Sequence, residues 1–112
     1  MSENVVISAL VEDDWALLRD LRIRALSDAP DSFGPTAESA LAQPEDYWRG
    51  WASGGSGRIR AWGAVDDGAP VGLVSGGVRA SGVGHFGALW LDPAYRRSGL
   101  GRRLTELVCE WM

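Results

Sequence analysis

The stretch from Leu89 to Leu104, LWLDPAYRRSGLGRRL, constrains the chain more than any other, because its residue types fix where a strand ends and a helix begins. Leu89, Trp90 and Leu91 form a short apolar run suited to a buried strand, and Pro93, which has no N–H to donate, ends the ladder. From Leu100 the apolar residues Leu100, Leu104, Leu107, Val108 and Trp111 recur at spacings of 4, 3, 1 and 3, which traces one face of a helix. The arginine-glycine turn between them therefore sits at a helix N-terminus.

That position has a definite chemistry. The first N–H groups of a helix lack internal partners, and the aligned peptide dipoles add about half a positive charge there. Gly99 and Gly101 remove side chains that would hold an anion off the backbone, and Arg96, Arg97, Arg102 and Arg103 surround the turn with fixed charge. Each charge-assisted hydrogen bond to a phosphate contributes about 1.5 to 3 kcal/mol. The plainer reading is that the glycines turn the chain and the arginines solvate a helix end.

The stretch resembles the coenzyme signature of the GNAT superfamily of N-acetyltransferases, Q/R-x-x-G-x-G/A, which here reads Arg96-Arg97-Ser98-Gly99-Leu100-Gly101. The approach Leu89-Trp90-Leu91-Asp92-Pro93 also has the usual hydrophobic-x-hydrophobic-x-Pro form. The resemblance implies an α+β fold of the three-layer type, a mixed and mainly antiparallel sheet flanked by helices, with the signature between the fourth strand and the third helix. It implies acetyl-coenzyme A as co-substrate, held by Leu89, Trp90, Leu91, Arg96, Arg97, Ser98, Gly99, Leu100, Gly101 and Arg102, and direct acetyl transfer to a primary amine of a small molecule or peptide.

The usual domain continues with a fifth strand, a fourth helix and further strands, whereas this sequence ends at Met112 within its last helix. Residues 1–112 are thus expected to be one GNAT-like domain truncated before strand 5. A second class of function stays open on that ground: a non-catalytic, acyl-coenzyme A-binding or self-associating remnant. An uncovered fourth strand and an apolar helix face ending at Trp111 predict homo-oligomers.

Composition narrows the rest. A chain of 112 residues is one domain and buries roughly two-thirds of the surface its unfolded form exposes. At 46% hydrophobic residues disorder is not expected, and no apolar run approaches the roughly 20 residues that cross a membrane. The net charge of −4 argues against general nucleic-acid binding. All eleven basic residues are arginine, so the lysine of a P-loop is absent. No metal site is read from the sequence. MSENVVISAL has no basic n-region or long apolar h-region, and Cys109 is alone, so the expected location is cytoplasmic. Cys109 reads as a packing residue, since no histidine stands beside it.

In chain order, Asn4 to Leu10 reads as a strand and Asp13 or Asp14 caps a helix whose apolar positions are Trp15, Leu18, Leu21 and Ala25, leaving Arg19, Asp20 and Arg22 polar. Ser27-Asp28-Ala29-Pro30 ends it, a polar loop with Phe33-Gly34-Pro35 follows, and a helix covers Pro44 to Ala52. Tyr47, Trp48 and Trp51 share one face of that helix and either pack on the sheet or line a cleft. By the resemblance this region borders the acceptor, which makes Phe33, Tyr47 and Trp48 the candidate substrate-binding residues. Glu38, Glu45 and Asp46 would attract a cationic amine or merely solvate the loop.

Residues 53–57 (SGGSG) read as a flexible connector. Strands follow at Ile59 to Val65, Pro70 to Val78, and Val83 or Gly84 to Leu91, the first pair joined by an Asp66-Asp67-Gly68 hairpin turn. Gly82-Val83-Gly84-His85-Phe86-Gly87 fits G-x-G-x-x-G, but a strand and not a helix follows it, so the dinucleotide reading fails and the glycines instead leave room on a strand face. His85 is the only histidine. Period-2 alternation places it on the side of Leu89, and it is the candidate general base, with a structural role as the alternative.

Overall fold

The computed structural model describes residues 4–28, 36–55 and 57–112. Its elements are β1 (Val5–Ala9), α1 (Trp15–Asp28), α2 (Ala37–Leu41), α3 (Glu45–Ala52), β2 (Ile59–Asp66), β3 (Ala69–Val78), β4 (Gly84–Leu91) and α4 (Leu100–Trp111), with 3-10 turns over Glu12–Asp14 and Pro93–Tyr95. The four strands pair antiparallel in the order β1-β2-β3-β4, so β4 is an edge strand among the described residues.

Helices cover both faces of this sheet, giving the three layers expected. On one face, Leu18, Leu21 and Leu26 of α1 and Trp48 of α3 meet Ala61, Leu73 and Trp90. On the other, Leu100, Leu104 and Val108 of α4 meet Trp62, Ala64 and Val74. Removing buried side chains of this size from water contributes about 1.5 to 3 kcal/mol each, so the apolar stripes of the two helices dictate the layering.

The local signals resolve into particular geometry. Asp14 ends the 3-10 turn that leads into α1 and reaches back, its carboxylate accepting the Val11 N–H at 2.9 Å, so it caps that turn and not α1 itself. Asp67 (φ 49°) and Gly68 (φ 87°) make the β2–β3 turn with both central residues left-handed, the geometry that fits the twist of a hairpin.

Four expectations need correction. The loop before Pro44 contains the one-turn helix α2, started by a reciprocal cap in which Thr36 Oγ1 accepts the Ser39 N–H at 3.0 Å and Ser39 Oγ accepts the Thr36 N–H at 3.1 Å. The glycines after α3 form a structured end, with Gly54 (φ 89°) donating to Trp51 O and Gly55 to Gly50 O, both at 3.0 Å. That is a Schellman cap, in which glycine is chosen for its left-handed backbone and not for mobility. Arg22, assigned to a polar face, is 8% exposed within α1, and Cys109, assigned to packing, is exposed on α4.

The β3–β4 register carries a further difference that bears on the site. Ser75 pairs with Ala88 but Gly76 pairs with Phe86, so Gly87 is an extra residue, a β-bulge. Simple alternation across β4 breaks there.

Candidate functional site

The turn after β4 is fixed from three sides. Asp92 accepts the Ala94 N–H at 3.0 Å and an Arg24 N–H of α1 at 2.8 Å, while Arg24 also donates to Pro70 O and lies 4.9 Å from the Trp90 ring centroid. Tyr95 donates its hydroxyl to Asp66 at the β2 end, and this bond, followed by burial, raises the Tyr95 pKa and keeps the phenol protonated. Ser98 Oγ donates to Tyr95 O and accepts from Leu100 N–H at 3.4 Å.

Within that frame Arg97 (φ 65°) and Gly99 (φ 89°) are both left-handed, which curls the backbone before α4. The first helical bond after the turn runs from Arg103 N–H to Gly99 O at 3.1 Å. The N–H groups of Gly101 and Arg102 precede it, so α4 does not consume them. Gly101 has a packing reason too, since a Cβ there would stand 3.2 Å from Leu91 Cδ1.

The arginines of the turn divide into two kinds. Arg96 donates to Asp28 at 2.5 Å and to Leu91 O at 3.3 Å, and Arg102 donates to Glu106 at 3.1 Å along α4. Arg97 and Arg103 are exposed and form no ion pair with the described residues. Asp28 also accepts from Trp90 Nε1 at 3.0 Å, and the bonds from Trp90 and Arg96 hold its carboxyl below the usual carboxylate range.

A second region lies at the other end of β4. A cleft of about 460 Å³ is lined by Tyr47 and Trp51 of α3, Ile59 of β2, Ser75 of β3 and His85 of β4, with glycine backbone from 50, 55, 76, 77 and 87 between them. The bulge explains why His85 belongs here. Its cross-strand partner is Gly77, so His85 shares a face with Ser75, Ala88, Leu73 and Trp90, while Leu89 shares the α4 face with Val74. The expectation that His85 and Leu89 point the same way is thereby overturned. Gly77 leaves the space that the imidazole fills, because a Cβ there would lie 2.6 Å from His85 Cε1.

The remaining predicted residues separate as follows. Leu89 is exposed on the sheet edge, Leu91 is half-buried under α4, and the Trp90 side chain is buried among the α1-face residues. Tyr47 lines the cleft, but Trp48 is 1% exposed in the core behind it, stacked on Trp51 with centroids 6.0 Å apart, and its indole N–H has no hydrogen-bond partner among the described residues. Phe33 lies outside the described residues. Trp51, offered with its neighbours as either packing or cleft, lines the cleft, whereas Ile59 and Ser75 as cleft residues and Arg24 and Asp28 as ties to the turn carried no such expectation. The i, i+4 spacing of Arg24 and Asp28 puts both on one side of α1, which was the available signal, although each binds a different residue, Asp92 and Arg96.

Among the described residues no cluster of three His, Cys, Asp or Glu side chains is placed to hold a metal, and no helix is long and apolar enough to cross a membrane. No curated protein matches the sequence significantly. Solved structures share the fold. An aminoglycoside acetyltransferase from an uncultured soil metagenomic sample superposes with a TM-score of 0.74 at 20% identity, over 98% of this chain and 71% of that one. A GCN5-related N-acetyltransferase from Ralstonia eutropha gives 0.66 at 23% identity, covering 95% and 74%. A predicted acetyltransferase with acetyl-CoA from Clostridium acetobutylicum gives 0.69 at 13% identity, covering 95% and 71%. The family profile described as acetyltransferase (GNAT) family matches residues 15–112, nearly the whole of the described fold, and the chain belongs to the GNAT acetyltransferase family.

Proposed function

We propose that the chain serves an N-acetyltransferase that moves the acetyl group of acetyl-coenzyme A directly to a primary amine of a small molecule or peptide. The observation that carries this reading is the arrangement of β4: a left-handed turn with N–H groups left over at its C-terminal end, an open backbone edge along it, and an imidazole-bearing cleft at its N-terminal half. From Gly87 to Leu91 the strand advances about 13 Å, so an extended ligand following the edge would join the two ends. The Clostridium acetobutylicum structure, described with acetyl-CoA, supports the choice of ligand.

The co-substrate supplies an acyl thioester, which an unprotonated amine attacks. The turn amides of 97–102 would bind the pyrophosphate, with Arg97 and Arg103 already available and Arg96 and Arg102 recruited from Asp28 and Glu106. Backbone groups of Leu89 and Leu91 would pair with the amide-rich arm as an added strand, and an N–H of the same edge would face the developing oxyanion. His85 would take the proton from the amine, directly or through water. The need is real for a lysine-type amine, whose neutral form at pH 7 lies about 4.6 kcal/mol uphill, and small for an α-amine near pKa 8, at about 1 kcal/mol.

The test pairs two measurements. Saturating acetyl-coenzyme A at 100 times its dissociation constant stabilises the fold by about 2.7 kcal/mol, and free thiol is released when an amine is present. No stabilisation refutes coenzyme binding. Stabilisation without thiol release from a broad amine panel favours the non-catalytic reading.

Self-association through β4 is a second reading, favoured by Val83, Phe86 and Leu89, which are 59%, 48% and 43% exposed on or beside the open edge. A monomeric mass at tens of micromolar in sedimentation experiments would dismiss it.

A further inference from the structure

The cleft at the N-terminal half of β4 has a composition that bears on which amine it takes. Its side chains are an indole, a phenol, one aliphatic chain, one aliphatic hydroxyl and one imidazole, and no carboxylate lines it among the described residues. The acidic residues on the neighbouring helices point their charge elsewhere: Glu45 accepts from Arg49 Nε at 2.6 Å, and Glu38 and Asp46 are exposed outside the cleft. The Arg22 guanidinium carbon stands 5.6 Å from the Trp51 ring centroid, on a side chain only 8% exposed.

The aromatic wall is also held rigidly. Trp51 stacks on buried Trp48 at an interplanar angle of 16°, and Tyr47 meets both rings edge-on at 77° and 87°. Glycines opposite keep the space open, since a Cβ at Gly87 would lie 2.6 Å from Ser75 Oγ. The result is a slot for a flat or branched apolar body, with His85 as the basic side chain that lines it among the described residues.

Resting on the acetyltransferase reading above, we propose that the acceptor is a monoamine with an aromatic or aliphatic body, taken in preference to polycationic aminoglycosides. Each further ammonium of a polycation would be desolvated against apolar walls where no carboxylate of the described residues stands to receive it. A monoamine carries one nitrogen to His85 and lays the rest of the molecule on Trp51, Tyr47 and Ile59. Several structural neighbours act on or hold aminoglycosides by their descriptions, so shared fold and different acceptor would coexist in this case.

Calorimetric titration of the whole chain with 2-phenylethylamine and, separately, with sisomicin, both without coenzyme, decides the matter. The expected result is phenylethylamine binding at least 10-fold tighter, about 1.4 kcal/mol, with Trp51→Ala removing the preference. Ile59→Asp, at a position 44% exposed and able to carry a charge, is expected to gain sisomicin binding. Equal or tighter sisomicin binding by the unaltered chain, or no binding of either amine, overturns the inference. Because coenzyme is absent, that failure is distinguishable from a failure of coenzyme binding in the thermal test.

Discussion

The turn after β4 and the cleft beside His85 sit on one strand, yet they are built by opposite means. The turn uses backbone: two left-handed residues and N–H groups ahead of the first α4 bond, all from one contiguous stretch. The cleft uses side chains gathered from α3, β2, β3 and β4, and its imidazole faces inward only because a bulge intervenes. On the proposed reading, binding of a phosphate and handling of a proton are therefore separable on this strand, and substitutions that touch one should spare the other.

The largest separation is expected at His85. Replacing it with alanine should lower kcat/KM for an alkylamine about 100-fold, at the low end of what a positioned base contributes, and flatten the acid limb of the pH-rate profile. The coenzyme-induced thermal shift should persist unchanged. An unaltered pH-rate profile removes His85 as the base and leaves the cleft a binding surface alone. Next in size is Gly99→Val. A β-branched residue forced to φ 89° costs about 1 to 2 kcal/mol, so acetyl-coenzyme A should bind about 10-fold more weakly while amine titrations of the ligand-free chain stay as they were. A loss of amine binding in this variant would show that the two regions are coupled.

The same contrast explains what could be read in the sequence. Strand, proline, glycines and arginines within 89–104 announce the turn because each acts through its own backbone or local charge. The layering was also legible, since Leu18 and Leu21 on one helix and Leu100, Leu104 and Val108 on another repeat at helical spacing. The facing of His85 was not, because parity counting assumes an unbroken pleat and Gly87 inserts one residue. Nor were the roles of Trp48 and Trp51, which lie on one helical face but differ in depth, one in the core and one at the cleft wall. Arg22 defied its pattern for a similar reason. Its stem packs in α1 while its guanidinium reaches Trp51, a contact that no spacing rule along α1 reveals.

The bulge itself is open to a smaller test. In Gly87→Ala the new Cβ would collide with Ser75 Oγ at 2.6 Å, so a loss of about 1 to 3 kcal/mol is expected by chemical denaturation. Ser75→Ala in the same chain removes that oxygen and should recover part of the loss, a coupling of about 0.5 to 3 kcal/mol. Additive effects would mean that Gly87 does not face Ser75 and that the bulge lies elsewhere on β4.

The smallest effect is expected at Asp28, which ties α1 to the turn. Hydrogen bonds from Trp90 and Arg96 depress its pKa in the folded chain, so the folded state binds a proton less readily than the unfolded one. The stabilisation is therefore complete above the ordinary carboxylate value of about 3.9 and is lost as pH falls through the lower folded value. Asp28→Asn should remove this part of the acid sensitivity, making the decline of Tm below pH 4 shallower than in the unaltered chain. Arg96 would also lose the carboxylate that holds it away from the turn, so coenzyme binding near neutral pH should not weaken. Weaker binding in Asp28→Asn would indicate that the Asp28–Arg96 pair shapes the turn for its anion, and that the arginine acts through this pair and not by release from it.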